Sequence, residues 1–322
     1  MGVCRPVCKP KKEGASQCPL NPLHRAMTSD FTMPFAGISL DFAETQRSAK
    51  EVQAFIEDPK AQCLCFYKGR AALESGQRLL RIHPSKLIGQ NLHDPGPLFL
   101  GLESGIPLFA VSLVQAESIA HEESFETLRA LGPRLSPQEL ALAGRARAIL
   151  EWHFTHRFCP KCGTLSTPNG GGVQRLCMNC KTEDHPRVNP VVIMLILSGD
   201  KVLLGRGPDW PEGWMSALAG FVSPGETIEE AVSRETYEEV GIHVRNTQYI
   251  FSQPWPFPSQ LMMGAICEAE NETITLNKAE LDDARWYSKD EVKAVMDGSS
   301  EAFRCPPPIS IAYQLLSHWM GQ

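Results

Sequence analysis

The chain has 322 residues, a formal net charge of −6, and a composition that is 43% hydrophobic and 21% charged. This length allows two modest domains with cores of their own, and the acidic balance disfavours a general nucleic-acid-binding protein. No apolar run approaches the ~20 residues needed to span a bilayer, so no membrane partner is predicted.

Residues 1–30 are predicted to form a disordered leader. They are rich in proline, cysteine and basic side chains and show no apolar period. A mitochondrial transit peptide is the alternative, although the segment is poor in serine and arginine. Eleven cysteines, an odd number, and the absence of a signal peptide favour a reducing compartment. We therefore expect an intracellular protein, cytoplasmic first, with the mitochondrion and peroxisome as alternatives.

An N-terminal α+β domain is predicted over residues 31–157. Its strands are expected at Ala61–Tyr67, Arg78–Ile82, Leu98–Leu102 and Pro107–Val114. A helix should begin after Ser136, because Ser136-Pro-Gln-Glu139 has the form of a capping box with proline at the first helical position.

Residues 158–185 contain two CxxC pairs separated by fourteen residues. Thiolates at this spacing suit a tetrahedral zinc ribbon, and four protein ligands leave no open position for catalysis. One structural zinc per chain is therefore predicted. Two disulfides and a nucleic-acid-binding ribbon are the alternatives; the second lacks a basic aromatic surface. The predicted ligands are Cys159, Cys162, Cys177 and Cys180.

The rest of the chain, residues 186–322, is predicted to be a second domain. Two strands flank the turn Ser198-Gly-Asp200, and Ser288-Lys-Asp-Glu291 should cap a helix. The strands are expected at Val191–Leu197, Lys201–Gly205, Ala217–Val222, Arg245–Ser252, Leu261–Ala269 and Ala284–Tyr287, and the last helix at Ile309–Met320.

An acidic helix in this domain is the most informative feature of the sequence. Thr227-x-x-Glu230 predicts its start, just after Glu226, and Gly241 its end. Three glutamates at relative positions 0, 3 and 4 share one face of such a helix, and their repulsion favours a hard divalent cation among them. A solvated acidic face is the alternative. The three are Glu235, Glu238 and Glu239.

The segment Ser252-Gln-Pro-Trp-Pro-Phe-Pro-Ser259 alternates prolines with aromatic residues. Proline lacks the N–H donor that a central strand requires, so a stiff loop is predicted. Stiff loops near a metal site tend to shape binding pockets, although surface packing would explain such a loop on its own.

These motifs together resemble the NADH pyrophosphatase branch of the Nudix hydrolases. The acidic helix fills the Nudix box Gly-x5-Glu-x7-Arg-Glu-x-x-Glu-Glu-x-Gly, with Thr236 where an aliphatic residue is usual. The resemblance implies an α/β/α sandwich around a mixed sheet, preceded by the zinc ribbon and the N-terminal domain. It also implies a homodimer that cleaves NAD(H) into NMN(H) and AMP, and in some members removes NAD caps from RNA 5′ ends.

The resemblance also assigns site residues. Glu235 and Glu239 match the main Mg²⁺ or Mn²⁺ ligands of a site with two or three ions, supported by Glu238, Glu226 and Glu280. The alternative for Glu280 is a solvated acid. The matches to substrate-binding positions are Arg129, His185, Ala219, Phe221, Gln253, Pro254, Trp255, Pro256, Phe257, Pro258, Ser259 and Ala312.

Two of these substrate residues have an alternative role, and a third departs from the family pattern. Phe221 is expected to stack on a base or on nicotinamide, with core packing as the alternative. Arg129 is expected to reach phosphate, with a plain surface arginine as the alternative. His185 stands where the family often has tyrosine, and its imidazole can still stack or form a hydrogen bond.

The predicted mechanism is attack of a metal-bound water on phosphorus, with Glu239 or Glu238 orienting or deprotonating that water and the glutamates Glu235, Glu238 and Glu239 as the catalytic set. The first alternative is hydrolysis of NAD-capped RNA by the same chemistry. The second is a catalytically inactive module that only binds, which the intact glutamate face disfavours.

Overall fold

The first half of the chain is built on a six-stranded sheet of short apolar segments, which in order are β1 (Gln62–Tyr67), β2 (Arg70–Ala72), β3 (Arg81–Ile82), β4 (Leu98–Glu103), β5 (Ile106–Leu113) and β6 (Phe125–Glu126). The computed structural model describes residues 33–74, 76–119, 121 and 124–321; the predicted leader, residues 1–30, lies outside them. The strand order is β4-β5-β1-β2-β6, β3 pairs with β1, and β1 runs parallel to β5.

Helices cover both faces of this sheet, and the alternation of β1 explains how. Leu64 and Phe66 point into a core shared with helix α3 (Pro137–Thr155), whereas Cys63 and Cys65 point into a core shared with helix α1 (Ala49–Glu57). A single-turn helix, α2 (Leu128–Leu131), precedes α3.

Three short antiparallel strands follow α3 and form a small sheet of their own. They are β7 (Thr167–Asn169), β8 (Gln174–Leu176) and β9 (Glu183–Asp184). The ribbon was predicted at this place, but its strands were not, because three residues or fewer carry too little periodicity.

The second half contains a six-stranded mixed sheet between helices. Its order is β13-β14-β10-β11-β15, with β12 also paired to β10, and β10 is parallel to β14. The strands are β10 (Asn189–Ser198), β11 (Lys201–Arg206), β12 (Leu218–Phe221), β13 (Val244–Trp255), β14 (Gln260–Ala269) and β15 (Asp283–Ser288); the helices are α4 (Ile228–Val240), α5 (Lys289–Met296) and α6 (Ile311–Met320).

Helices α4 and α6 lie on opposite faces of this sheet, as the predicted sandwich requires. Val192, Met194 and Ile196 of β10 join the core beneath α4. On the other face, Gly264 of β14 lies against Ile311 and Leu315 of α6, where a Cβ would meet their side chains at 3.1–3.2 Å, a tighter contact than most. Among the described residues, none of the helices combines the length and the apolar composition that a membrane span requires.

The two capping boxes predicted in the second half of the chain are confirmed. At Thr227 and at Ser288 the capping side chain accepts from the backbone N–H three residues on, and the glutamate there accepts from the backbone N–H of the cap. At Ser136 only half of the box forms. Its side chain caps α3, but Glu139 instead accepts a hydrogen bond from Leu79 N (2.7 Å) and pairs with Arg81 (2.5 Å). The predicted strand Arg78–Ile82 is correspondingly reduced to β3 and an isolated bridge at Leu79.

The loop predicted for residues 252–259 is wrong over its first half. β13 continues through Pro254 to Trp255, and a turn at residues 256–259 leads into β14. The reason is position: β13 is the edge strand of its sheet, so proline's missing N–H removes no bond to a neighbour on the outer side.

Candidate active site

The acidic helix α4 is held at both ends by its own sequence. Thr227 and Glu230 close the capping box, and Gly241 ends the helix with a left-handed φ of 69°. Thr236, the departure from the family pattern, is fully buried and donates its hydroxyl to Val232 O at 2.7 Å. The replacement therefore leaves no unsatisfied polar group under the glutamate face.

Arg234 organises three of the predicted metal ligands. Its guanidinium donates to Glu226 (2.5 Å), Glu235 (2.8 Å) and Glu238 (2.8 Å), and also to the carbonyl oxygen of Phe221 (2.9 Å). The hydrogen bond from Arg234 lowers the pKa of Glu226 to about 2. The glutamate at the entrance of the helix is therefore ionised and fixed in place.

Glu239 differs from these glutamates because it has no cationic partner. It is only 7% exposed, and its Oε2 atom is buried without a hydrogen bond. Burial, followed by the negative charges of Glu235, Glu280 and Glu238, raises its pKa to about 8. Burial also raises the pKa of Glu235. A buried acceptor without a donor is costly unless a cation or proton occupies it.

Gly220 of β12 makes the approach of Glu235 possible. A Cβ at this position would lie less than 3.0 Å from the carboxyl carbon and both carboxyl oxygens of Glu235, closer than real Cβ atoms come. The glycine at the head of the motif is therefore required for space.

The donor set of this face fits a hard divalent cation. It consists of carboxylate oxygens, one of them the unpartnered Oε2 of Glu239. The negative charge of Glu280 acts on the Glu239 carboxyl, and Glu280 itself accepts a hydrogen bond from Asn277 Nδ2 at 3.2 Å. Among the described residues, the oxygen atoms of these carboxylates do not lie as close together as the sulfur atoms of the four cysteines described below. The reason is that Arg234 occupies the space between three of the carboxylates.

A cavity of about 500 Å³ lies beside β12. It is bounded by β10, β12, the end of β13 and the start of α6. Five predicted substrate residues line it, namely Arg129, Ala219, Gln253, Trp255 and Ala312. Ala219 and Phe221 share one face of β12, so the half-exposed Phe221 ring stands on the cavity side of the strand.

Gln253 lines this cavity, but its amide is fully committed to the fold. Its Nε2 donates to Pro34 O (3.1 Å) and Ile309 O (2.9 Å), and its Oε1 accepts from Ile311 N (2.8 Å). The side chain thus joins strand β13 to the start of α6 and to the beginning of the described chain.

Several predicted substrate residues do not line this cavity. His185 is exposed between β9 and β10, and Pro254 is an exposed residue of the edge strand. Phe257 packs against Phe35 and, with Pro258, borders a second depression in the surface. The others outside the lining are Phe221, whose ring is half-exposed, Pro256, which is buried, and Ser259, whose carbonyl accepts from Asn189 N at 2.9 Å.

Much of the cavity wall was not predicted from the sequence. Trp210 and Trp214 come from the segment before β12, and Pro306 and Ile309 from the segment before α6. The pair of tryptophans around Pro211-Glu-Gly213 was the available signal, since large aromatic residues in a turn-rich segment seldom lack a packing or binding role.

The four predicted zinc ligands are brought together. Their Sγ atoms all lie within 4.8 Å of one another, with Cys159–Cys180 and Cys162–Cys177 each 3.5 Å apart. Sulfurs around a tetrahedral zinc are separated by about 3.8 Å, given a Zn–S distance of ~2.3 Å. All four thiols are unbonded, so the disulfide alternative is not the observed arrangement.

The two CxxC pairs sit in matching turns. Cys159 N donates to Thr164 O (2.8 Å) and Gly163 N to Cys159 O (2.9 Å), and Cys177 and Lys181 repeat both bonds. Gly163 and Lys181 each adopt the left-handed conformation, with φ of 72° and 59°. This repetition is what aims the four sulfurs at one point.

A buried polar network joins this ribbon to α3. Arg175 is 1% exposed and donates to Ser166 O (2.5 Å), Ser166 Oγ (2.9 Å) and His153 Nδ1 (3.1 Å). His153 Nε2 then donates to Gly172 O (2.8 Å). Burial lowers the pKa of His153 to about 4, so the ring is a neutral acceptor for Arg175.

Two family models match the chain. The model described as "NUDIX domain" matches residues 187–304, and the model described as "NADH pyrophosphatase-like rudimentary NUDIX domain" matches residues 60–152. The glutamate face and most of the cavity lie in the first match, and Arg129 lies in the second.

Curated relatives extend over most of the described chain. The NAD-capped RNA hydrolase NudC of Chromobacterium violaceum is 37% identical over 223 residues, covering 69% of this chain and 80% of that protein. The mitochondrial NAD(P)H pyrophosphatase NUDT13 of Homo sapiens is 36% identical over 261 residues, covering 76% and 74%. The NAD-capped RNA hydrolase NUDT12 of Homo sapiens is 42% identical over 198 residues, covering 58% of this chain but 43% of that protein, so the chain spans less than half of that relative's length.

Proposed function

The chain belongs to the NADH pyrophosphatase family of Nudix hydrolases, and from this premise we propose that it hydrolyses the pyrophosphate of NAD(H) to NMN(H) and AMP. The observation that carries the proposal is the buried, unpartnered Oε2 of Glu239 among Glu235 and Glu280. β12 separates this carboxylate face from a cavity that is large enough for a nucleoside.

Glu239 and Glu235 are the main residues that would hold Mg²⁺ or Mn²⁺, with Glu238, Glu226 and Glu280 in support; Arg234 would have to release Glu226, Glu235 and Glu238 for the set to be complete. When bound, two or three such ions neutralise the pyrophosphate charge and lower the pKa of a coordinated water. Arg234 keeps the carboxylates separated until then, which limits the repulsion of a crowded acidic face.

The chain's own residues bind the dinucleotide and manage one proton. Phe221 and Trp255 offer rings to a base, and Arg129 offers its guanidinium to phosphate. Glu239 or Glu238 accepts the proton of the attacking water, whose oxygen bonds to phosphorus as the bridging P–O bond breaks. The products are NMN(H) and AMP, and the released proton leaves through the accepting carboxylate.

We assign one structural Zn²⁺ to the cysteine cluster. The tetrahedral spacing of the four sulfurs supports this identity, and the lack of an open position argues against a catalytic role. An intracellular location is proposed with it, because cysteines without disulfides are usual in a reducing compartment.

We also propose that two copies of the chain form a homodimer. Five large apolar side chains between residues 154 and 188 are about half or more exposed, which is unusual for so short a segment. They are Phe154, Phe158, Leu165, Met178 and Val188. Light scattering on the purified chain measures the state directly, and a monomer at micromolar concentration would contradict it.

Removal of NAD caps from RNA is the second candidate function. It uses the same bond cleavage, and two of the three relatives described above carry this activity in their names. The acidic net charge gives it no general support, but a capped 5′ end requires few protein contacts.

The test is product formation from NADH, with and without Mg²⁺ or Mn²⁺, beside a NAD-capped oligonucleotide at matched concentration. Glu239→Gln should lower kcat by at least ~100-fold while the protein stays folded, because it removes a metal-binding charge. Glu229→Gln is the control, since Glu229 is an exposed glutamate of the same helix.

Metal-dependent release of NMNH and AMP supports the proposal, and the two kcat/KM values rank the substrates. Activity that survives Glu239→Gln would overturn the residue assignment. Cleavage of neither substrate by folded, zinc-loaded protein would favour the binding module instead.

A further inference from the structure

The cavity beside β12 is called the nucleotide cavity below. A second depression adjoins it and is strongly basic. It has a volume of about 560 Å³, and Arg129 lines both spaces. We call it the basic pocket and define it by Lys68, Arg70, Arg129 and Arg147. Its rim includes Phe257 and Pro258 from the turn between β13 and β14.

A tight turn, two hydrogen bonds and contacts with an aromatic ring position the cationic residues of the basic pocket. Lys68 and Gly69 form the left-handed turn between β1 and β2, with φ of 49° and 71°. Arg147 of α3 donates to Gly69 O at 3.2 Å and to Pro256 O. Two guanidinium groups lie over the Phe257 ring, with that of Arg129 at 4.5 Å and that of Arg147 at 5.0 Å from its centroid.

The charge of this pocket opposes that of the molecule. Four cationic side chains face a single carboxylate, Glu151, within a chain of net charge −6. Burial lowers the pKa of Arg147, and the positive charge of Arg129 lowers it further against the attraction of Glu151. Like charges held this close are stabilised by a bound anion.

We propose that the basic pocket binds a phosphate carried by the adenosine ribose of the substrate, in addition to the pyrophosphate that is cleaved. The inference rests on the proposed function and specifies its substrate class. Two sources share this chemistry: the 2′-phosphate of NADP(H) and the 3′-phosphodiester that links a NAD cap to the next nucleotide. Lys68 and Arg70 are the residues that distinguish such substrates from NAD(H), because neither lines the nucleotide cavity.

The test compares NADH, NADPH and a NAD-capped RNA pentamer on the full chain with its metals. The variant is Lys68→Gln/Arg70→Gln. The control is Lys60→Gln/Arg78→Gln, which removes the same charge from exposed positions of the same half of the chain.

The variant should keep kcat/KM for NADH within about twofold and lose about tenfold for a phosphate-bearing substrate through KM, since two charge–phosphate contacts are removed. The loss should shrink as salt rises, because exposed charges are screened. A loss confined to NADPH identifies the 2′-phosphate, and a loss confined to the capped pentamer identifies the 3′-phosphodiester.

Equal losses for all three substrates, or no loss for either phosphate-bearing one, overturn the inference. Binding of NADPH and NADH without divalent cations, measured by calorimetry, separates this failure from failure of the proposed function. A preference for NADPH that the variant abolishes supports the pocket even in a protein that turns over neither dinucleotide.

Discussion

At the scale of single residues, the carboxylate face depends on a position that has no side chain. Gly220→Ala would place a methyl group against the carboxyl of Glu235. We expect kcat/KM for NADH to fall at least ~10-fold and Mn²⁺ affinity to fall with it, because a ligand must move from its position.

Gly321→Ala is the matched control, since its Cβ would meet only ordinary contacts at 3.6 Å or more. Circular dichroism and thermal unfolding establish that both variants fold. Full activity in Gly220→Ala would show that Glu235 does not act from the position described.

The buried carboxyl of Glu239 predicts an unusual pH dependence of stability. Its pKa of about 8 in the folded chain lies above the ordinary 4.5, so the folded state binds more protons between these values. The stability from this group is fully present below pH 4.5 and is lost as pH rises through 8.

In protein that retains zinc but lacks other divalent cations, Glu239→Gln should therefore have a free energy of unfolding ~2 kcal/mol above that of the parent at pH 8.5. Near pH 5 the difference in free energy of unfolding should be smaller. Urea unfolding at the two pH values measures this difference. Identical pH slopes for the two proteins would show that the carboxyl is not buried as described.

At the scale of elements, the junction between the ribbon and α3 predicts the opposite pH dependence. His153 is neutral with a pKa of about 4, below its ordinary 6.5, so the unfolded chain binds more protons between these values. Stability from this group is present above pH 6.5 and is lost as pH falls towards 4.

His153→Gln should remove this slope and cost ~1–3 kcal/mol at pH 7.5, because Arg175 loses a buried acceptor. His121→Gln, at an exposed position, should change neither quantity. The free energy of unfolding at pH 7.5 and 5.5 tests both statements, and an unchanged slope in His153→Gln would contradict the neutral ring.

Elements with local signals were predictable from the sequence, and elements set by distant contacts were not. Serine and threonine caps marked α3, α4 and α5, because a cap acts within four residues. The strand through Pro254 was missed because its edge position depends on how the whole sheet is ordered.

The same distinction holds for the site. The glutamates lie on one helix and the cysteines in two short turns, so spacing alone brought them together. The cavity wall joins Trp214, Trp255 and Ile309, which are separated by 41 and 54 residues in the sequence. No local pattern links them, and the basic pocket likewise draws its charges from β1–β2, α2 and α3.

At the scale of the molecule, the two halves interlock around the turn between β13 and β14. Gln253 bonds to Pro34, near the start of the described chain, and to Ile311 of α6, and Arg147 reaches the turn from α3. Ile309 packs directly against Gly132, where a Cβ on residue 132 would clash with the Ile309 side chain. The substrate cavity is therefore a product of the assembled halves, and loosening their contact should reduce binding before it unfolds either sheet.

The zinc ribbon tests how far this cooperation extends. Both sheets bury separate apolar cores, so neither needs the metal to fold. The ribbon has only short strands and depends on its cysteines and on Arg175. Cys162→Ser/Cys180→Ser should therefore abolish zinc and lower Tm by roughly 5–10 °C without unfolding the chain.

Hydrogen exchange then separates local from global loss. Protection should disappear across residues 157–184 and persist in β10, whose apolar residues form the core beneath α4. Cys305→Ser, outside the cluster, should keep both zinc and protection. If β10 also lost protection, the ribbon would be a folding requirement of the catalytic half; if residues 157–184 stayed protected after zinc was lost, the ribbon would not depend on its metal to fold. The sulfur spacing and the independent cores predict the intermediate result, a ribbon that melts alone.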